Sequence, residues 1–274
     1  MEMDVKTRAA VLWEVGQPWS VEEVELDPPQ RNEVLVRIEA SGMCHSDDHV
    51  QKGDGIALLP TVGGHEGAGV IEQVGPAVEG LEVGDHVVFS FIPACGRCRW
   101  CSVGRQNLCD FGMFLMQGGT ITGGYRVHAR GRDVGAMSLL GTFAEHTVVH
   151  ETSVVKIEKD VPFDRACLLG CGVPTGWGSS VNLGKVAPGE PVVVVGIGGI
   201  GANALQGARI AGARNIVAVD PVEFKRDQAK VFGATHTAAS MQEALPLVRE
   251  ITNGVMADVG VCTIGIVEGS YIQP

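Results

Sequence analysis

The chain has 274 residues, of which 45% are hydrophobic and 19% are charged, and its formal net charge is −11. This composition is typical of a folded globular protein and excludes an intrinsically disordered one. The acidic balance argues against nucleic acid or an anionic membrane surface as the main partner, because like charges repel.

The N-terminal stretch MEMDVKTRAA carries charges and has no apolar core, so it does not predict a secretory signal. The sequence also lacks a run of about 18 apolar residues, the length that would predict a transmembrane helix. We therefore expect a cytoplasmic protein. In that compartment, clustered cysteines indicate a metal site rather than disulfides.

The first part of the chain predicts a β-rich domain over residues 1–173. In the stretch EVLVRIEA, the residues Val34, Val36 and Ile38 recur with a period of two, which is typical of a strand with one buried face. The stretches GVIEQVG and GDHVVFSF predict two further short strands. Residues 110–150 are rich in glycine, and we expect them to form a long irregular lobe or loop.

Residues 174–274 show a different pattern, in which apolar strands alternate with helical stretches. The strand VVVVG precedes the helix ANALQGARIAGA, and NIVAVD precedes EFKRDQAKVFGA. The stretches THTAAS, MQEALPLVREITN and ADVGVCTIG continue the alternation. This order predicts βαβ units and a parallel sheet. The fold class is therefore α/β plus β, with the β-rich domain first.

Four cysteines lie within the segment CGRCRWCSVGRQNLC, at Cys95, Cys98, Cys101 and Cys109. Thiolates at this spacing can converge on one ion, so the segment predicts a closed tetrahedral zinc site in a lobe of about residues 93–112. Unrelated buried cysteines or a disulfide pair are the alternatives. Three arginines beside Trp100 would also suit a nucleic-acid zinc module, although the acidic chain favours a solvated surface for them: Arg97, Arg99 and Arg105.

The segment GIGGIG, residues 196–201, directly follows an apolar strand and precedes a helix. Gly196 permits a tight turn, Gly198 lets the backbone approach a pyrophosphate, and Gly201 lets the helix pack on the strand. Asp220 ends the next strand, where its carboxylate can accept hydrogen bonds from a ribose and would repel a 2′-phosphate. The segment therefore predicts NAD binding, with an ordinary strand–helix turn as the alternative.

Cysteine and histidine also occur in three distant stretches, CHSDDH at 44–49, GGHEGAG at 63–69 and GCGVPTG at 170–176. Cys44, His65 and Cys171 would supply a Cys₂His set, and a catalytic zinc needs three protein ligands and one open position. The spacing alone leaves open that these are ordinary core residues.

Together these motifs resemble the zinc-dependent medium-chain alcohol dehydrogenases, which have a GroES-like catalytic domain and a Rossmann domain. The resemblance is closest to the actinobacterial enzymes that keep NAD bound and use a nitrosoaniline acceptor. The matching segments are GMCHSDDH, VGGHEGAGV, CGRCRWCSVGRQNLCD, LGCGVPTGWGS, GIGGIG and VDPVEFKR.

The resemblance implies roles for individual residues. Cys44, His65 and Cys171 match the catalytic zinc ligands, and Glu66 matches an acid that approaches the zinc during ligand exchange. Asp47 matches a carboxylate that orients the ligand histidine. The remaining matches are Ser46 and His49 in a proton relay, Phe91 in the substrate pocket, and His45, Thr175, Gly199, Ile200 and Lys225 around the NAD. Simple surface roles are the alternative for Ser46, His49 and Lys225.

The resemblance implies hydride transfer from a primary alcohol to NAD, with two zinc ions per chain. A formaldehyde or polyol dehydrogenase is the alternative within this class. Members of the family also extend beyond the point where this chain ends, which implies an incomplete Rossmann domain and the absence of the strand that pairs subunits in homo-oligomeric relatives. An inactive zinc-binding fragment is therefore the second alternative.

Overall fold

The computed structural model describes residues 5–56 and 58–265. The chain divides between Cys171 and Gly172 into two compact units. The predicted C-terminal end of the Rossmann domain, residues 266–274, lies outside the described residues. None of the helices within the described ranges is both long enough and apolar enough to cross a membrane.

The N-terminal unit is built from short strands. They are β1 (Val5–Leu12), β2 (Ser20–Leu26), β3 (Glu33–Gly42), β4 (Thr61–Val62), β5 (Glu66–Val74), β6 (His86–Phe89), β7 (Val127–Ala129), β8 (Arg132–Ala136), β9 (His146–His150) and β10 (Val154–Lys156). Strands β1, β2, β7, β8 and β4 close in that order into a barrel. The other five form a sheet of order β10-β6-β5-β3-β9.

Helical segments in this unit are short. The α-helices are α1 (His45–Lys52) and α2 (Phe163–Ala166), and the 3₁₀ turns are Cys101–Val103, Gln106–Leu108, Asp110–Phe114, Met137–Leu139, Glu151–Ser153 and Cys167–Gly170. Helix α1 is separated from the end of β3 by a two-residue junction that contains Cys44, and Cys171 directly follows the last 3₁₀ turn. These two junctions carry two of the predicted zinc ligands.

The predicted strand at EVLVRIEA is confirmed as part of β3, but the expected single buried face is wrong. Leu35 is as buried as its neighbours Val34 and Val36. Leu35 packs in the apolar cluster of the barrel, whereas Val34 and Val36 pack in the cluster of the second sheet. The strand therefore lies between two cores, and both of its faces are covered.

The expectation of an irregular segment over residues 110–150 is also wrong in part. Residues 115–126 have no regular helix or strand, but β7, β8 and β9 all lie further along this segment. Val127 pairs with Leu26 of β2, and Thr147 pairs with Val36 of β3. These strands are only three to five residues long. Strands β7 and β8 pair with each other as a local hairpin, but their other partners, and the partner of β9, are distant in the sequence. Strands this short have a weak local pattern.

The C-terminal unit has the predicted alternation of strands and helices. Its elements are α3 (Gly172–Gly178), a π-helical turn (Ser179–Leu183), β11 (Pro191–Val195), α4 (Gly199–Ile210), β12 (Asn215–Val219), α5 (Glu223–Phe232), β13 (His236–Ala238), α6 (Met241–Ile251) and β14 (Val259–Cys262). The sheet is parallel, with the order β13-β12-β11-β14.

Apolar side chains cover this sheet on both faces. Val192 and Val194 of β11 pack with Leu205 of α4, whereas Val193 packs with Val248 of α6 on the other side. Each strand of the pair β11–β12 is therefore almost continuously apolar, as expected for a parallel sheet with helices on both faces.

Candidate functional site

The cysteine-rich lobe brings four sulfur atoms together. The Sγ atoms of Cys95, Cys98, Cys101 and Cys109 lie within 4.8 Å of one another. Backbone amides also point at the sulfurs: the amide of Cys98 donates to Cys95 Sγ at 3.4 Å, and that of Cys101 donates to Cys98 Sγ at 3.5 Å. Four converging thiols suit a tetrahedral ion such as zinc and leave no position for a substrate.

The sulfurs of the lobe differ in how readily they ionise without a metal, because their pKa values shift in opposite directions. Backbone hydrogen bonds from Asp110 and Cys101 lower the pKa of the Cys98 thiol to about 6. Burial raises the pKa of Cys101 to about 12. Arg99, one of the three arginines of the lobe, stacks over Trp100 and lies 3.4 Å from a carboxylate oxygen of Asp110. This arginine is therefore engaged within the lobe itself.

Cys44 lies at the N-terminus of α1, where the chain leaves β3. The amide of Cys44 donates to Asp47 Oδ2 at 3.0 Å, and the amide of Asp47 donates to the Cys44 carbonyl at 3.1 Å. This reciprocal pair caps the helix and fixes the direction of the Cys44 side chain. The same aspartate reaches a second segment of the chain, because its Oδ1 atom accepts the amide of Gly64 at 3.2 Å.

His65 lies in the short connection between β4 and β5, and its side chain is buried. Its Nδ1 atom is 3.3 Å from Asp47 Oδ1. The ionised carboxylate can only accept, so Nδ1 carries the proton and donates. The Nε2 atom is then the one that can bind a metal, once it has released its own proton, in the arrangement in which a carboxylate orients a ligand histidine.

Cys171 completes a second cluster. Ligand atoms of Cys44, His65, Glu66 and Cys171 lie within 4.8 Å of one another, although the residues come from three distant stretches. Cys171 follows the 3₁₀ turn Cys167–Gly170, which packs closely on the sheet: a Cβ atom at Gly170 would lie 2.7 Å from the Phe89 carbonyl oxygen. The cluster belongs entirely to the N-terminal unit.

Within this cluster the pKa values of Cys44 and His65 are shifted in opposite directions, and both shifts favour the charged forms. Hydrogen bonds with Cys171 and His65 lower the pKa of the Cys44 thiol to about 3. Burial opposes the charged form of His65, but the hydrogen bonds with Asp47 and Cys44 outweigh it and raise the pKa of His65 to about 10. Two sulfurs and one imidazole nitrogen are donors that zinc prefers, and three protein ligands leave one position open. The donor set therefore fits a catalytic zinc.

Glu66 reaches this cluster only because β3 has no side chain opposite it. A Cβ atom built on Gly42 would lie 2.1 Å from Glu66 Oε2. Phe91 lies on another side, with its ring edge-on to His65 at a centroid distance of 6.0 Å. The structure thus brings Glu66 and Phe91, both singled out by the resemblance, next to the three candidate ligands.

The predicted relay residues lie on α1 close to the cluster. Ser46 Oγ is 3.6 Å from Cys44 Sγ, and His49 Nδ1 is 3.1 Å from Asp54 Oδ2. The ring of His45 contacts that of His49 in a tilted arrangement with a centroid distance of 4.8 Å, and His45 Nε2 lies 3.4 Å from Asp48 Oδ2. The relay through Ser46 and His49 and the phosphate contact of His45 stay predictions.

The glycine turn of the C-terminal unit has the shape that a dinucleotide requires. Gly196 has a φ of +87°. A Cβ atom on Gly201 would lie 1.9 Å from the Gly196 carbonyl oxygen, so α4 can approach β11 only because residue 201 is glycine. A Cβ atom on Gly198 would meet nothing within 4 Å, so this glycine faces open space at the start of α4.

Asp220 follows β12 and faces the same turn. Its Oδ2 atom accepts the amide of Ile197 at 2.8 Å, and its Oδ1 atom accepts the amide of Val222 at 2.9 Å. Each carboxylate oxygen has a second lone pair for a ribose hydroxyl. Lys225 Nζ lies 3.8 Å from Asp220 Oδ2, at the same end of the strand.

The other predicted cofactor residues also lie in this unit. Gly199 and Ile200 form the first turn of α4, and Thr175 lies in α3, where its carbonyl accepts the hydroxyl of Ser179 at 2.7 Å. Sequence reasoning missed two residues of the N-terminal unit. The hydroxyls of Ser41 and Thr142 both reach the Glu66 carbonyl, at 2.7 and 3.1 Å. No local pattern marks either residue.

Comparisons with known proteins identify the family. Residues 30–159 match the family model of the alcohol dehydrogenase GroES-like domain, and residues 199–270 match that of the zinc-binding dehydrogenases. Alcohol dehydrogenase B of Mycobacterium tuberculosis is 52% identical, over 98% of this chain and 72% of its own length. This chain belongs to the zinc-dependent medium-chain alcohol dehydrogenases.

Two further comparisons bear on this alcohol dehydrogenase. The NDMA-dependent alcohol dehydrogenase of Amycolatopsis methanolica is 53% identical, over 96% of this chain and 71% of that protein. Among solved structures, benzyl alcohol dehydrogenase from Acinetobacter calcoaceticus is 36% identical with a TM-score of 0.86, over 96% of this chain and 71% of that one. The family resemblance, the GroES-like and Rossmann fold class, and the membership of an alcohol-oxidoreductase family are confirmed.

Proposed function

We propose that this alcohol dehydrogenase oxidises a primary alcohol to the aldehyde, reversibly, with NAD as the hydride acceptor and a zinc ion held by Cys44, His65 and Cys171. The observation that carries the proposal is the convergence of these three side chains, with Glu66, from distant parts of the sequence. Such a set has two thiolates, one neutral imidazole nitrogen and one open position, as in catalytic zinc sites.

The bound zinc supplies a Lewis acid that lowers the pKa of an alcohol into the neutral range. Asp47 holds the Nδ1 proton of His65 and so directs Nε2 toward the metal position. Ser46, beside Cys44, takes up the proton that the alcohol loses as it donates its own hydroxyl proton to His49, which releases a proton to solvent. Glu66 offers a carboxylate during ligand exchange, and Phe91 forms an apolar wall beside His65.

NAD, when bound, is the group that accepts the hydride, and the protein binds and orients the NAD. The open space at Gly198 and the free N–H groups at the start of α4 suit a pyrophosphate. Asp220 suits the ribose hydroxyls and disfavours a 2′-phosphate by charge repulsion. His45, Thr175 and Lys225 contact other parts of the cofactor in this proposal.

A second zinc ion is proposed for the cysteine-rich lobe, held by four thiolates, and its role is structural. We expect two zinc ions per chain by elemental analysis of purified protein. The Cys44→Ser and His65→Ala variants should each retain one ion and lose NAD-dependent alcohol oxidation. The matched control is Cys262→Ser, which alters an exposed cysteine of the C-terminal unit and should retain both ions.

The substrate test follows from the same site. Benzyl alcohol is the first substrate to assay, because Phe91 lies beside His65 and a relative of known structure acts on it by name. A panel with formaldehyde and polyols separates the rival dehydrogenase activities. One zinc per chain in the parent protein, with no oxidation of any alcohol, would favour a zinc-binding fragment without activity and contradict the proposal.

A further inference from the structure

The peptide that follows His65 is held by two hydroxyl groups. The Glu66 carbonyl oxygen lies 2.7 Å from Ser41 Oγ and 3.1 Å from Thr142 Oγ1, and the two hydroxyl oxygens are 2.9 Å apart. Thr142 is 1% exposed, whereas Ser41 is half-buried. The three oxygen atoms form a compact triangle on the peptide that follows the candidate ligand histidine.

The shape of the surrounding backbone fits Thr142 closely. A Cβ atom on Gly64 would lie 2.5 Å from Thr142 Oγ1, and one on Gly67 would lie 2.8 Å from Thr142 Cγ2. The threonine therefore fills the space left by the two glycines on either side of the His65–Glu66 dipeptide. The Thr142 amide also donates to the Gly64 carbonyl at 3.1 Å. Both flanks of His65 are thus fixed by one residue.

Ser41 connects this arrangement to the other ligand segment. It lies near the end of β3, three positions before Cys44, and its strand pairs with β5 at Gly67. The hydroxyl pair therefore joins the strand that leads to Cys44 with the segment that carries His65. Any slip of β5 along β3 would change the distance between the two candidate ligands.

We propose that Ser41 and Thr142 are positioning residues for the zinc site: their paired hydroxyls hold the Glu66 carbonyl and so set the separation of His65 from Cys44. This inference rests on the proposed function. Neither side chain contacts the metal position in this proposal, and each acts through the backbone of the ligand segments.

The number of protons makes the pair act as one unit. Two hydroxyls have two protons for three short contacts, so each hydroxyl depends on the other for its orientation. Removal of one hydroxyl leaves the other able to donate to the Glu66 carbonyl, so the effects of the two removals should not be additive. A double-mutant comparison of Ser41→Ala, Thr142→Val and the combined variant measures this coupling.

Thr142 offers a matched pair of substitutions. Thr142→Val retains the shape and removes the hydroxyl, whereas Thr142→Ser retains the hydroxyl and removes a methyl group. The measurement is zinc release from the purified protein to the chelator 4-(2-pyridylazo)resorcinol. The Cys44→Ser variant, which lacks the proposed catalytic ion, identifies the phase that belongs to this site. The other phase of zinc release, which belongs to the cysteine-rich lobe, serves as an internal control.

We expect Thr142→Val to release the catalytic-site zinc about tenfold faster, the lower end of the effect of residues that support metal ligands. Thr142→Ser should release it at close to the parental rate, and neither should change release from the lobe. Cobalt-substituted protein should show altered d–d absorption bands for Thr142→Val and parental bands for Thr142→Ser. Ser41→Ala tests the same prediction if the valine variant does not fold.

Different outcomes separate the two proposals. Equal release rates for the parent, Thr142→Val and Ser41→Ala would overturn the positioning role and leave the zinc site intact. Equal effects of the valine and serine variants would assign the effect to packing and would also overturn it. A parent protein that holds no second ion would contradict the proposed function itself, and the positioning role with it.

Discussion

His65 donates a hydrogen bond from Nδ1 to Asp47 Oδ1, and the side chains of both residues are about 5% exposed. The other oxygen of the carboxylate accepts the amide of Cys44. One buried aspartate therefore orients two of the three proposed zinc ligands. This relationship makes Asp47 the most sensitive supporting residue of the site.

Replacement of Asp47 by asparagine should weaken zinc binding at the catalytic site by about 10- to 100-fold. Asparagine has the same shape, but an NH₂ group replaces one of the two oxygens. That group must face either the amide of Cys44 or the two donors on the other side, His65 Nδ1 and the Gly64 amide. Zinc affinity measured by competition with a chelator tests this. Asp48→Asn is the matched control, because Asp48 lies next along α1 and pairs at the surface with Lys52. Equal affinities in the two variants would refute the role.

The contact between Gly42 and Glu66 gives a second prediction. Gly42→Ala should destabilise the N-terminal unit by about 1–3 kcal/mol, because the new methyl group overlaps the Glu66 carboxylate. In a Glu66→Ala background the same change should have a much smaller effect, since the overlapping Oε2 atom is absent. Urea unfolding of the four proteins of this cycle measures the coupling. Additive effects would show that the glycine serves another purpose.

Two substitutions in the glycine turn of the Rossmann unit should have different effects, one on NAD binding and the other on stability. Gly198→Ala should leave the unfolding free energy within about 0.5 kcal/mol of the parent, because the added methyl group meets no atom. It should weaken NAD binding at least about tenfold, or about 1.4 kcal/mol, because it blocks the approach of the pyrophosphate. Gly201→Ala should instead destabilise the fold, since its methyl group overlaps the Gly196 carbonyl. Calorimetric titration with NAD and thermal unfolding distinguish the two.

Asp85 gives a prediction about pH. Burial alone would raise its pKa, but the ion pair with Lys156 at 2.7 Å and the Glu82 amide lower the pKa below 3.8. An aspartate with a lowered pKa stabilises the fold above the unfolded-state value near pH 4, and this stability is lost as the pH falls through the folded-state value. Asp85→Asn should therefore reduce the free energy of unfolding by about 1–2 kcal/mol at pH 7.

The difference between Asp85→Asn and the parent should shrink below about pH 4, as the parental carboxylate becomes protonated. Urea unfolding followed by tryptophan fluorescence at pH 7, 5, 4 and 3 measures it. Asp133→Asn is the control, because Asp133 is 60% exposed and should show a small effect throughout. A difference of the same size at pH 3 and pH 7 would contradict the role of the charge.

The sequence predicted the C-terminal unit well because its signals are local. Each apolar strand is followed by its own helix, and Gly201 and Asp220 lie at the positions that the turn requires. The N-terminal unit was harder. Strands β7 and β8 form a hairpin of only three and five residues, and pairing with the distant strands β2 and β4 places it in the barrel. Leu35 is buried by a second core that no periodicity within β3 could indicate.

The candidate sites show the same contrast. The four cysteines of the lobe could be read from their spacing, whereas Cys44, His65 and Cys171 required the family resemblance. Ser41 and Thr142 could not be predicted, because their contacts with the Glu66 carbonyl span 25 and 76 positions of the chain. A hydroxyl that meets a distant backbone oxygen leaves no trace in its own sequence neighbourhood.

The two sets of candidate ligands differ in how much chain they enclose. All the sulfurs of the lobe lie between Cys95 and Cys109, so an ion there closes only short loops and can bind while most of the polypeptide is unstructured. The Cys44–Cys171 set closes a loop that contains most of the N-terminal unit, and we expect its ligands to meet only after the strands that carry them have paired. For the two proposed zinc ions we therefore expect binding in a fixed order during folding, with the lobe first and the Cys44–His65–Cys171 set last.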